Sequence, residues 1–560
     1  MIFFAGLAKE NSVAAPGFNR WLVPPAALAV HLCIGMAYGF SVFWKPLGRT
    51  LEGSDGVALD LCAAGATTIE GKMTGLWRAL FATDCNWSQF DLGWIYTLFF
   101  VLLGCSAALW GGWLERVGPR RAGVVAASCW CGGLLLAALG VAEHQLWLVW
   151  LGAGGVGGVG LGLGYISPVS TLVKWFPDRR GMATGMAIMG FGGGAMIGSP
   201  LATLLMEKFS TPSQPGVWQT FVVLALIYAV FMFGGALGYR IPASDWQDKK
   251  LHASATPRGS SLVAVRHVHV RNAHRTPQFW LLWIMLCLNV SAGIGIIGAA
   301  APMLLETFGG ALIGQPSLDY AGIKANPMTL AGAVAVAAGF VGLLSLFNIG
   351  GRIFWASVSD HWGRRRTFFV FFALGAGLYL LSGFAAREQL LGLFVLSLCL
   401  LASLYGGVFA TIPAYLADLF GTQFVGAIHG RLLTAWSVAG LVGPAMVNYL
   451  HDTRLESQLA FQQIYAPIFY ALAGLLVMAL LANLAVRPVA DRLFMSAREL
   501  LEVQNLAHEK RSQMALQPAP DTGPPSANPL AVLVLAWLAV GVPLAFGIWV
   551  TLQKTSALFQ

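Results

Sequence analysis

Apolar runs long enough to cross a membrane recur along the whole chain. A membrane-spanning helix needs about 20 mostly apolar residues. Thirteen stretches of the 560 residues meet that requirement. Lipid offers no hydrogen-bond partners to an open backbone, so such a chain folds as a bundle of helices. We therefore predict an all-α membrane protein with spans, to within a few residues, at 21–46, 90–114, 122–142, 145–173, 181–206, 218–240, 278–308, 329–358, 367–386, 389–417, 430–451, 465–486 and 529–552.

The composition agrees with that of a membrane protein. Hydrophobic residues make up 57% of the chain and charged residues 11%, whereas a soluble protein carries about 25% charged residues. The net charge of +9 comes from short basic clusters between the apolar runs. That pattern is typical of cytoplasmic loops, so we expect membrane lipid and no nucleic acid as partner. The first residues contain no basic region before an apolar patch, and we predict no cleaved signal peptide.

The spans divide into two groups of six and one more. A polar, basic stretch at mid-chain separates the two groups, which implies two six-helix halves. The thirteenth span follows a Pro-rich stretch and falls outside this arrangement. We predict these parts: an N-terminal half at 1–240 with a polar insert at 49–89, a linker at 241–277, a C-terminal half at 278–486, a tail and linker at 487–528, and an extra helix at 529–560.

The loop charges predict the orientation. One set of loops holds the central linker and three basic clusters: Arg116, Arg120 and Arg121; Lys174, Arg179 and Arg180; Arg364, Arg365 and Arg366. The opposite set is sparser, with Lys72, Arg78, Lys208, Lys324 and Arg387. The positive-inside rule then puts the N-terminus and both ends of the twelve-helix body in the cytoplasm. We expect a multi-pass protein of the plasma (inner) membrane.

The insert carries two cysteines, Cys62 and Cys85, that do not lie in apolar spans. The orientation predicts that this insert faces outward. In an oxidising compartment the two thiols can form a disulfide. The sequence leaves open whether they do so, because their distance and geometry are not written in it.

A short motif occurs twice, at the same place in each half. The segments GGWLERVGPRR and ASVSDHWGRRR both set a small residue, an acid and a glycine before paired arginines. An acid and arginines at a helix end can lock neighbouring helices in one state and release them in another. The equivalent positions argue against two unrelated basic loops. We predict a gating role for Gly111, Glu115, Gly118, Arg120 and Arg121 in the first copy, and for Asp360, Gly363, Arg364 and Arg365 in the second, which starts at Ala356.

This repeat resembles the signature of the major facilitator superfamily, over residues from about 20 to 486. Two departures are Glu115 for the usual aspartate and Pro119 within the first basic cluster. The resemblance implies the major facilitator fold, with a site near the membrane midplane and alternating access. Finer segments resemble the oxalate/formate antiporter family: AYGFSVFWKPL, WSQFDLGWIYTLFF, KWFPDRRGMATG, NIGGRIFWASVSD and LFGTQFVGAIHG.

One arginine, Arg352, lies deep in the eighth span. A charge buried in a span is costly, so such a residue usually faces a cavity and acts there. Arg352 precedes Asp360 by eight residues, which is roughly 12 Å along a helix and near the middle of a 30 Å core. A guanidinium binds a carboxylate with two parallel hydrogen bonds, and the resemblance implies a substrate-binding arginine here. The alternative is an arginine that snorkels to the surface or pairs with a carbonyl.

The resemblance also implies a lysine in helix 11, in a Thr-Ala-Lys-Gly context. Here the stretch reads TAWSVAG, and Trp436 stands at that position. One fixed cation suits a monoanion better than a dianion, whose second carboxylate would be desolvated without a partner. His429 and Arg431 lie one to two turns closer to the cytoplasm, and we expect both to be interfacial. The alternative is that they serve as a second cation, in an inward-facing state only. Aromatic residues within the spans suit the walls of a small-anion site, namely Tyr38, Tyr165, Tyr405 and Trp436.

These observations favour a secondary transporter that moves small carboxylates, formate-like, oxalate-like or other monocarboxylates, by alternating access. Few carboxylates lie within the spans, with Glu306 expected near the outer surface, and His31 is expected to be a core histidine with a local partner. The lack of an evident proton-relay carboxylate favours anion exchange. The alternative is a proton-coupled monocarboxylate symporter. We predict no enzyme activity, no metal and no cofactor, and we expect a monomer.

Two further expectations concern the C-terminal region. The tail at 487–527 is short for the signalling appendage that a transporter-derived sensor would need. The thirteenth span carries no charge between Leu530 and Gln553 and resembles single-helix companion proteins found beside some carriers of the antiporter family. We expect it to pack on the outer wall of the bundle, away from the translocation path, and to place Gln560 outside.

Overall fold

Thirteen helices long and apolar enough to cross a membrane make up most of the protein, in a computed structural model that describes residues 7–15, 17–51, 59–62, 69–211, 214–242, 266–455, 461–502 and 530–555. The first six helices are α1 (Arg20–Leu47), α2 (Phe90–Val117), α3 (Pro119–Ala142), α4 (Leu146–Trp175), α5 (Arg180–Phe209) and α6 (Val217–Gly238). The remaining seven are α7 (Pro277–Leu312), α8 (Met328–Trp362), α9 (Arg364–Arg387), α10 (Leu391–Phe420), α11 (Val425–His451), α12 (Gln463–Ala485) and α13 (Leu530–Gln553). The predicted all-α membrane fold is confirmed.

Several helices run past the apolar stretches that predicted them, because capping residues rather than hydropathy set their ends. The Ser88 hydroxyl caps the start of α2, and the Asp91 carboxylate accepts from the Ser88 backbone in return. Thr276 caps α7, whose first residue is Pro277. The end of α8 extends four residues beyond the predicted limit, to the turn at Gly363. A helix continues until its backbone is diverted or capped.

The two halves meet along two pairs of helices, α5 with α8 and α2 with α11. Glycines bring the backbones together at both seams. A Cβ on Gly185 of α5 would lie 2.6 Å from the Arg352 carbonyl oxygen of α8. A Cβ on Gly430 of α11 would overlap the Ala107 carbonyl oxygen of α2. Such close approach is available only to residues without a side chain there.

Three helices are irregular near the centre of the bundle. Helix α1 tightens to a 3₁₀ conformation over Gly35–Phe43. Helix α4 widens to a π conformation over Trp150–Gly157, and α11 is interrupted by a turn at Leu433. Mid-helix departures of this kind often mark places where a helix bends or serves a site. Two of them adjoin residues predicted to line the substrate site.

The question left open by the two cysteines is answered: Cys62 and Cys85 form a disulfide. The joined segment is held to the body by His144, whose ring stacks on Trp87 at 4.3 Å and bonds to the Cys85 carbonyl oxygen at 2.9 Å. Burial lowers the pKa of His144, so its ring is neutral at pH 7. We call this end of the bundle the insert end, and the end that carries Glu115 and Asp360 the basic end.

Much of the predicted linker and tail, 243–265 and 503–529, lies outside the described residues. The flanking segments bind each other at the basic end. The Val268 backbone donates to the Phe420 carbonyl oxygen at 2.9 Å, at the end of α10. The Met495 backbone donates to the His267 carbonyl oxygen at 2.8 Å.

Helix α13 packs on the outside of the bundle, as predicted, against α1, α5 and α8. It runs from the basic end, where the Trp537 indole donates to the Trp21 carbonyl oxygen at 3.2 Å, toward the insert end, where Thr551 meets Gly342. Between these points Leu544 lies beside Gly193 of α5. Because α5 and α8 belong to different halves, α13 contacts both halves across one seam.

We expect removal of residues 517–560 to lower the thermal stability of the protein while leaving its substrate affinity nearly unchanged, since α13 contributes packing and lies outside the bundle. A point variant isolates the packing. Val540 is 3% exposed on the face toward the bundle, and Val542 is 59% exposed on the opposite face. Val540→Ala should cost roughly 1–2 kcal/mol, seen as a lower unfolding midpoint. Val542→Ala is the control, and equal midpoints for the two variants would contradict this packing.

Candidate substrate site

The guanidinium of Arg352 lies wholly inside the protein, with 0% of the residue exposed. Its Nε donates to the Asn348 side-chain oxygen at 2.9 Å, one turn earlier on α8. Its Nη1 donates to the Ile188 carbonyl oxygen at 2.9 Å, on α5 of the other half. Arg352 therefore does not snorkel, and it contacts both halves at once. The carbonyl pairing that the sequence left as an alternative uses one of its three nitrogens.

The third nitrogen, Nη2, has no hydrogen-bond partner among the described residues. Buried polar groups are nearly always hydrogen-bonded, and a charged donor without a partner is especially costly. The Phe409 ring lies 5.7 Å from the guanidinium carbon, a cation–π distance that stabilises the charge in part. The N–H groups of Nη2 are thus available to an acceptor.

Aromatic rings surround Trp436, which is also fully buried. It is the centre of a cluster that joins α1, α2, α4, α5, α10 and α11. The ring centroids closest to its own belong to Phe409 at 4.5 Å, Tyr165 and Phe191 at 5.4 Å, Phe100 at 5.5 Å and Tyr38 at 6.2 Å. The four aromatic residues predicted from the sequence and Arg352 are therefore brought together in one place.

Two more donors in this cluster lack partners. The Tyr165 hydroxyl and the Trp436 indole nitrogen are buried and make no hydrogen bond to any part of the chain that is described. The positive charge of Arg352 interacts electrostatically with the hydroxyls of Tyr165, Tyr38 and Tyr405. An apolar cluster that contains a cation and several unpaired donors has the chemistry of an anion site.

Two tyrosines join the halves on the insert side of Arg352. The hydroxyls of Tyr38 in α1 and Tyr405 in α10 lie 3.4 Å apart. Tyr38 belongs to the 3₁₀ segment of α1 and is half-buried, whereas Tyr405 is buried. This pair is therefore the more accessible boundary of the cluster.

Sequence reasoning missed several residues that hold Arg352. Asn348 fixes the guanidinium, and its own side-chain nitrogen donates to the Ala402 carbonyl oxygen at 3.1 Å. A Cβ on Gly192 would lie 2.9 Å from the Asn348 side-chain oxygen and 3.1 Å from Arg352 Nε. The i,i+4 spacing of an amide and an arginine in NIGGR is a signal that could have identified Asn348. No local pattern marks Gly192, because it acts from another helix.

The two histidines differ from each other. His31 has local partners, as expected: its ring nitrogens lie 2.5 Å from the Ala187 and 3.2 Å from the Tyr165 carbonyl oxygens. The expectation that His429 is interfacial is wrong. It is 1% exposed and neither ring nitrogen has a partner among the described residues. The turn at Leu433 and the close α2–α11 seam bury this first segment of α11. Arg431 faces outward and donates to the Val270 carbonyl oxygen at 2.7 Å.

The second copy of the repeated motif binds the other half. The Asp360 carboxylate accepts from the backbone N–H groups of Gly181 and Met182, at 2.8 and 2.9 Å. These are the first residues of α5, so a carboxylate from one half caps a helix of the other. Arg364 bonds to the same carboxylate at 2.6 Å.

A second carboxylate strengthens this junction. Asp418, near the end of α10, accepts from Arg180 of α5 at 2.9 Å and from Arg364 of α9 at 3.0 Å. All three side chains are largely buried. The two carboxylates and two arginines form a network across the seam, which we call the basic-end network (Arg180, Asp360, Arg364, Asp418). Asp418 and Arg180 were not predicted as gating residues.

The first copy keeps its acid within its own half. Glu115 pairs with Lys174 of α4 at 2.7 Å. Its other oxygen faces Gly426 of α11 without a hydrogen bond. Gly111 approaches α11 as well, since its Cβ would lie 3.0 Å from Ala427. The α5–α8 and α2–α11 seams thus lie at equivalent positions, but the motif carboxylate bonds to the other half at the α5–α8 seam and stays within its own half at the α2–α11 seam.

The remaining motif residues obey the repeat. Gly118 and Gly363 both have positive φ, +87° and +84°, which favours glycine at the turn. Arg120 and Arg365 hold the last helix of their own half. Arg120 Nε donates to the Tyr239 carbonyl oxygen at 2.9 Å, and Arg365 donates to the Leu484 carbonyl oxygen at 2.5 Å. Arg121 follows Arg120 at the start of α3.

The carboxylate Glu306 lies six residues before the end of α7, as expected, and it belongs to the C-terminal half alone. It bonds to the Tyr465 hydroxyl of α12 at 2.5 Å and to the His451 ring of α11 at 3.0 Å. This group is separate from the aromatic cluster.

Comparisons with known proteins bear on the fold and the family. The family model of the Major Facilitator Superfamily matches residues 59–351 and 326–558. The proton:xylose symporter XylE has a similar structure, with a TM-score of 0.58 and 13% identity, over 84% of this chain and 96% of that one.

Two relatives are transporters. The "Oxalate:formate antiporter" of Oxalobacter formigenes is 28% identical over 51% of this chain and 59% of its own length. This match therefore spans less than two thirds of that protein. The "Apicoplast pyruvate carrier 1" of Toxoplasma gondii is 25% identical over 75% of this chain and 82% of its own length.

We expect Asp360→Ala to open the basic end. A carboxylate at a helix N-terminus contributes up to about 2 kcal/mol, so its loss should raise the open population by up to about thirtyfold. A reporter is Thr184→Cys, at a fully buried position whose hydroxyl donates to the Ala410 carbonyl oxygen across the seam. Its labelling by a maleimide, followed by mass spectrometry of the peptide, should accelerate accordingly. Glu388→Ala, at an exposed ion pair of the insert end, is the control, and equal labelling in both would contradict the role of Asp360.

Proposed function

The chain belongs to the major facilitator superfamily, and we propose that it is a secondary transporter that moves small carboxylates across the membrane by alternating access, in exchange for another anion. The observation that carries the proposal is the buried Arg352 guanidinium with one nitrogen unpartnered inside an aromatic cluster.

The geometry supports a carboxylate as ligand. Nε and Nη1 of Arg352 are held by Asn348 and by Ile188, so one oxygen of the anion takes Nη2. The unpaired hydroxyl of Tyr165 and the indole N–H of Trp436 are donors of the same cluster for the remaining oxygen lone pairs. A hydrogen bond from a charged donor contributes about 1.5–3 kcal/mol. Nη1 carries a second N–H besides the one that bonds to the Ile188 carbonyl oxygen, so a bidentate pair through Nη1 and Nη2 does not require that bond between the halves to break.

The charge of the cluster favours a monoanion. Arg352 is the one fixed cation among the described residues that line the aromatic cluster, and Trp436 occupies the position where the antiporter family has a lysine. Formate-like or other small monocarboxylates fit this charge. The names of the relatives, an oxalate:formate antiporter and a pyruvate carrier, support the same substrate class.

The contacts between the halves support alternating access. The basic-end network and the glycine seams close the basic end below Arg352. Toward the insert end, Tyr38 and Tyr405 join the two halves. Exposing the site to the basic end requires that the network break while the halves rock about the centre.

We further propose the orientation, location and state of the protein. The basic end faces the cytoplasm and the insert end faces outward, in the plasma (inner) membrane, because the loops follow the positive-inside rule. The disulfide of the insert suits an oxidising outer compartment. The functional unit is a monomer whose two halves enclose one site, and it is surrounded by lipid.

Arg352→Lys tests the proposed function. The variant keeps the charge but loses the planar donors, so binding should fall about ten- to a hundredfold with little change in the unfolding midpoint. Counterflow of labelled formate in proteoliposomes measures transport, and a thermal-shift titration with formate measures binding. The control is Arg387→Lys, at an exposed ion pair. Wild-type counterflow by a well-expressed Arg352→Lys protein would refute the role of Arg352.

The orientation is tested through the disulfide. A membrane-impermeant reductant added outside intact cells should free Cys62 and Cys85, and an impermeant maleimide should then label both. Without reductant the two should stay unlabelled, because they are joined. Labelling that needs inside-out vesicles would reverse the proposed orientation.

A further inference from the structure

A second basic group lies beneath the aromatic cluster. His429 stands seven residues before Trp436 on α11, about two turns or roughly 10 Å toward the basic end. The turn at Leu433 interrupts α11 between the two residues, so ring contacts rather than helical periodicity relate them. His429 is 1% exposed, and both of its ring nitrogens lack partners within the described part of the chain. A neutral imidazole left with neither a donor nor an acceptor contact is costly, and no packing need explains a histidine there.

Tyr165 connects His429 to the anion cluster. Its ring lies 5.9 Å from the His429 ring and 5.4 Å from the Trp436 ring. Its hydroxyl has no partner in the described chain. A positive charge on His429 would therefore act on an anion beside Arg352 across one aromatic ring, with little water between them to screen it.

We propose that His429 is a proton-binding residue of the substrate site, and that its protonated ring supplies the second positive charge for a dicarboxylate such as oxalate. This inference rests on the proposed function and extends it. The carrier takes a monoanion without a proton, because Arg352 alone balances it. It takes a dianion together with one proton from solution, which forms the imidazolium and leaves again when the dianion leaves.

The surrounding charges leave this role to His429. Each ring nitrogen of His31 already faces a carbonyl oxygen, so its hydrogen bonds are made within the bundle and do not await a ligand. The other charged or titratable groups on segments packed against this part of α11 are His31 of α1, Glu115 of α2, Lys174 of α4, Asp418 of α10, and His274 beside Arg431. Asp418 is paired with Arg180 and Arg364. Glu115 is paired with Lys174 through one oxygen, and its other oxygen faces Gly426 without a hydrogen bond.

Calorimetry of the purified full-length protein tests the proposal. Titrations with oxalate and with formate, each in two buffers of different ionisation enthalpy, count the protons taken up on binding. We expect uptake approaching one proton per oxalate between about pH 6 and 8, and none per formate. Oxalate affinity should rise toward low pH, up to about tenfold per pH unit, while formate affinity should not change.

Variants identify the residue. His429→Gln should abolish the proton uptake and weaken oxalate binding about a hundredfold at pH 6, with formate binding unchanged. His361→Gln, an exposed histidine at the basic end, is the matched control and should behave as wild type. Adding Trp436→Lys to His429→Gln supplies a fixed ammonium, so oxalate binding should return without proton uptake.

The outcomes separate this proposal from the proposed function. Oxalate binding without proton uptake by the wild type, uptake that persists in His429→Gln, or formate binding with no oxalate binding at any of these pH values would overturn the role of His429 alone. Failure of both anions to bind would overturn the proposed function and this inference with it. The wild-type proton count decides the matter even if His429→Gln fails to fold.

Discussion

A guanidinium buried between two halves of a membrane protein is the interaction on which this structure depends. An unpaired charge in a span costs several kcal/mol. The chain offsets that cost with an amide one turn away, a carbonyl of the opposite half and an aromatic face. Glycines at 192 and 406 allow these groups to approach Arg352, since a Cβ on either would press against it. The one nitrogen left over has no partner among the described residues, and we propose an anion as its ligand.

The same arginine links the site to the seam. Arg352 donates to the carbonyl of Ile188, and two turns further along α8 Asp360 caps the start of the same helix α5. We therefore propose that ligand binding and closure of the basic end act on one helix pair. The α2–α11 seam lacks the equivalent cap, because Glu115 is paired within its own half. Helix α13 covers the α5–α8 side from outside, where it touches both moving parts.

Much of the fold and part of the site could be predicted from the sequence, because the signals are local. Apolar run length predicted every span, and the repeated acid, glycine and arginine pattern predicted the equivalent turns at Gly118 and Gly363. Arg352 was conspicuous because a charge in an apolar run is rare. Helix ends were less exact, since caps such as Thr276 and turns such as Gly363 rather than hydropathy determine them.

Contacts between helices could not be predicted from the sequence. The burial of His429 depends on the turn at Leu433 and on how α11 meets α2, which no single stretch of sequence encodes. The bonds of Asp418 to Arg180 and Arg364 join residues far apart in the chain. The partner of Arg352 Nη1 is a backbone carbonyl, so the side-chain pattern of α5 gave no sign of it. A single sequence specifies helices well and their mutual rotation poorly.

A structure of the protein with bound formate tests the central claim most directly. We expect the carboxylate within hydrogen-bond distance of Arg352 Nη2, enclosed by the rings around Trp436. A carboxylate bound elsewhere in the bundle, with Nη2 still unpartnered, would contradict it.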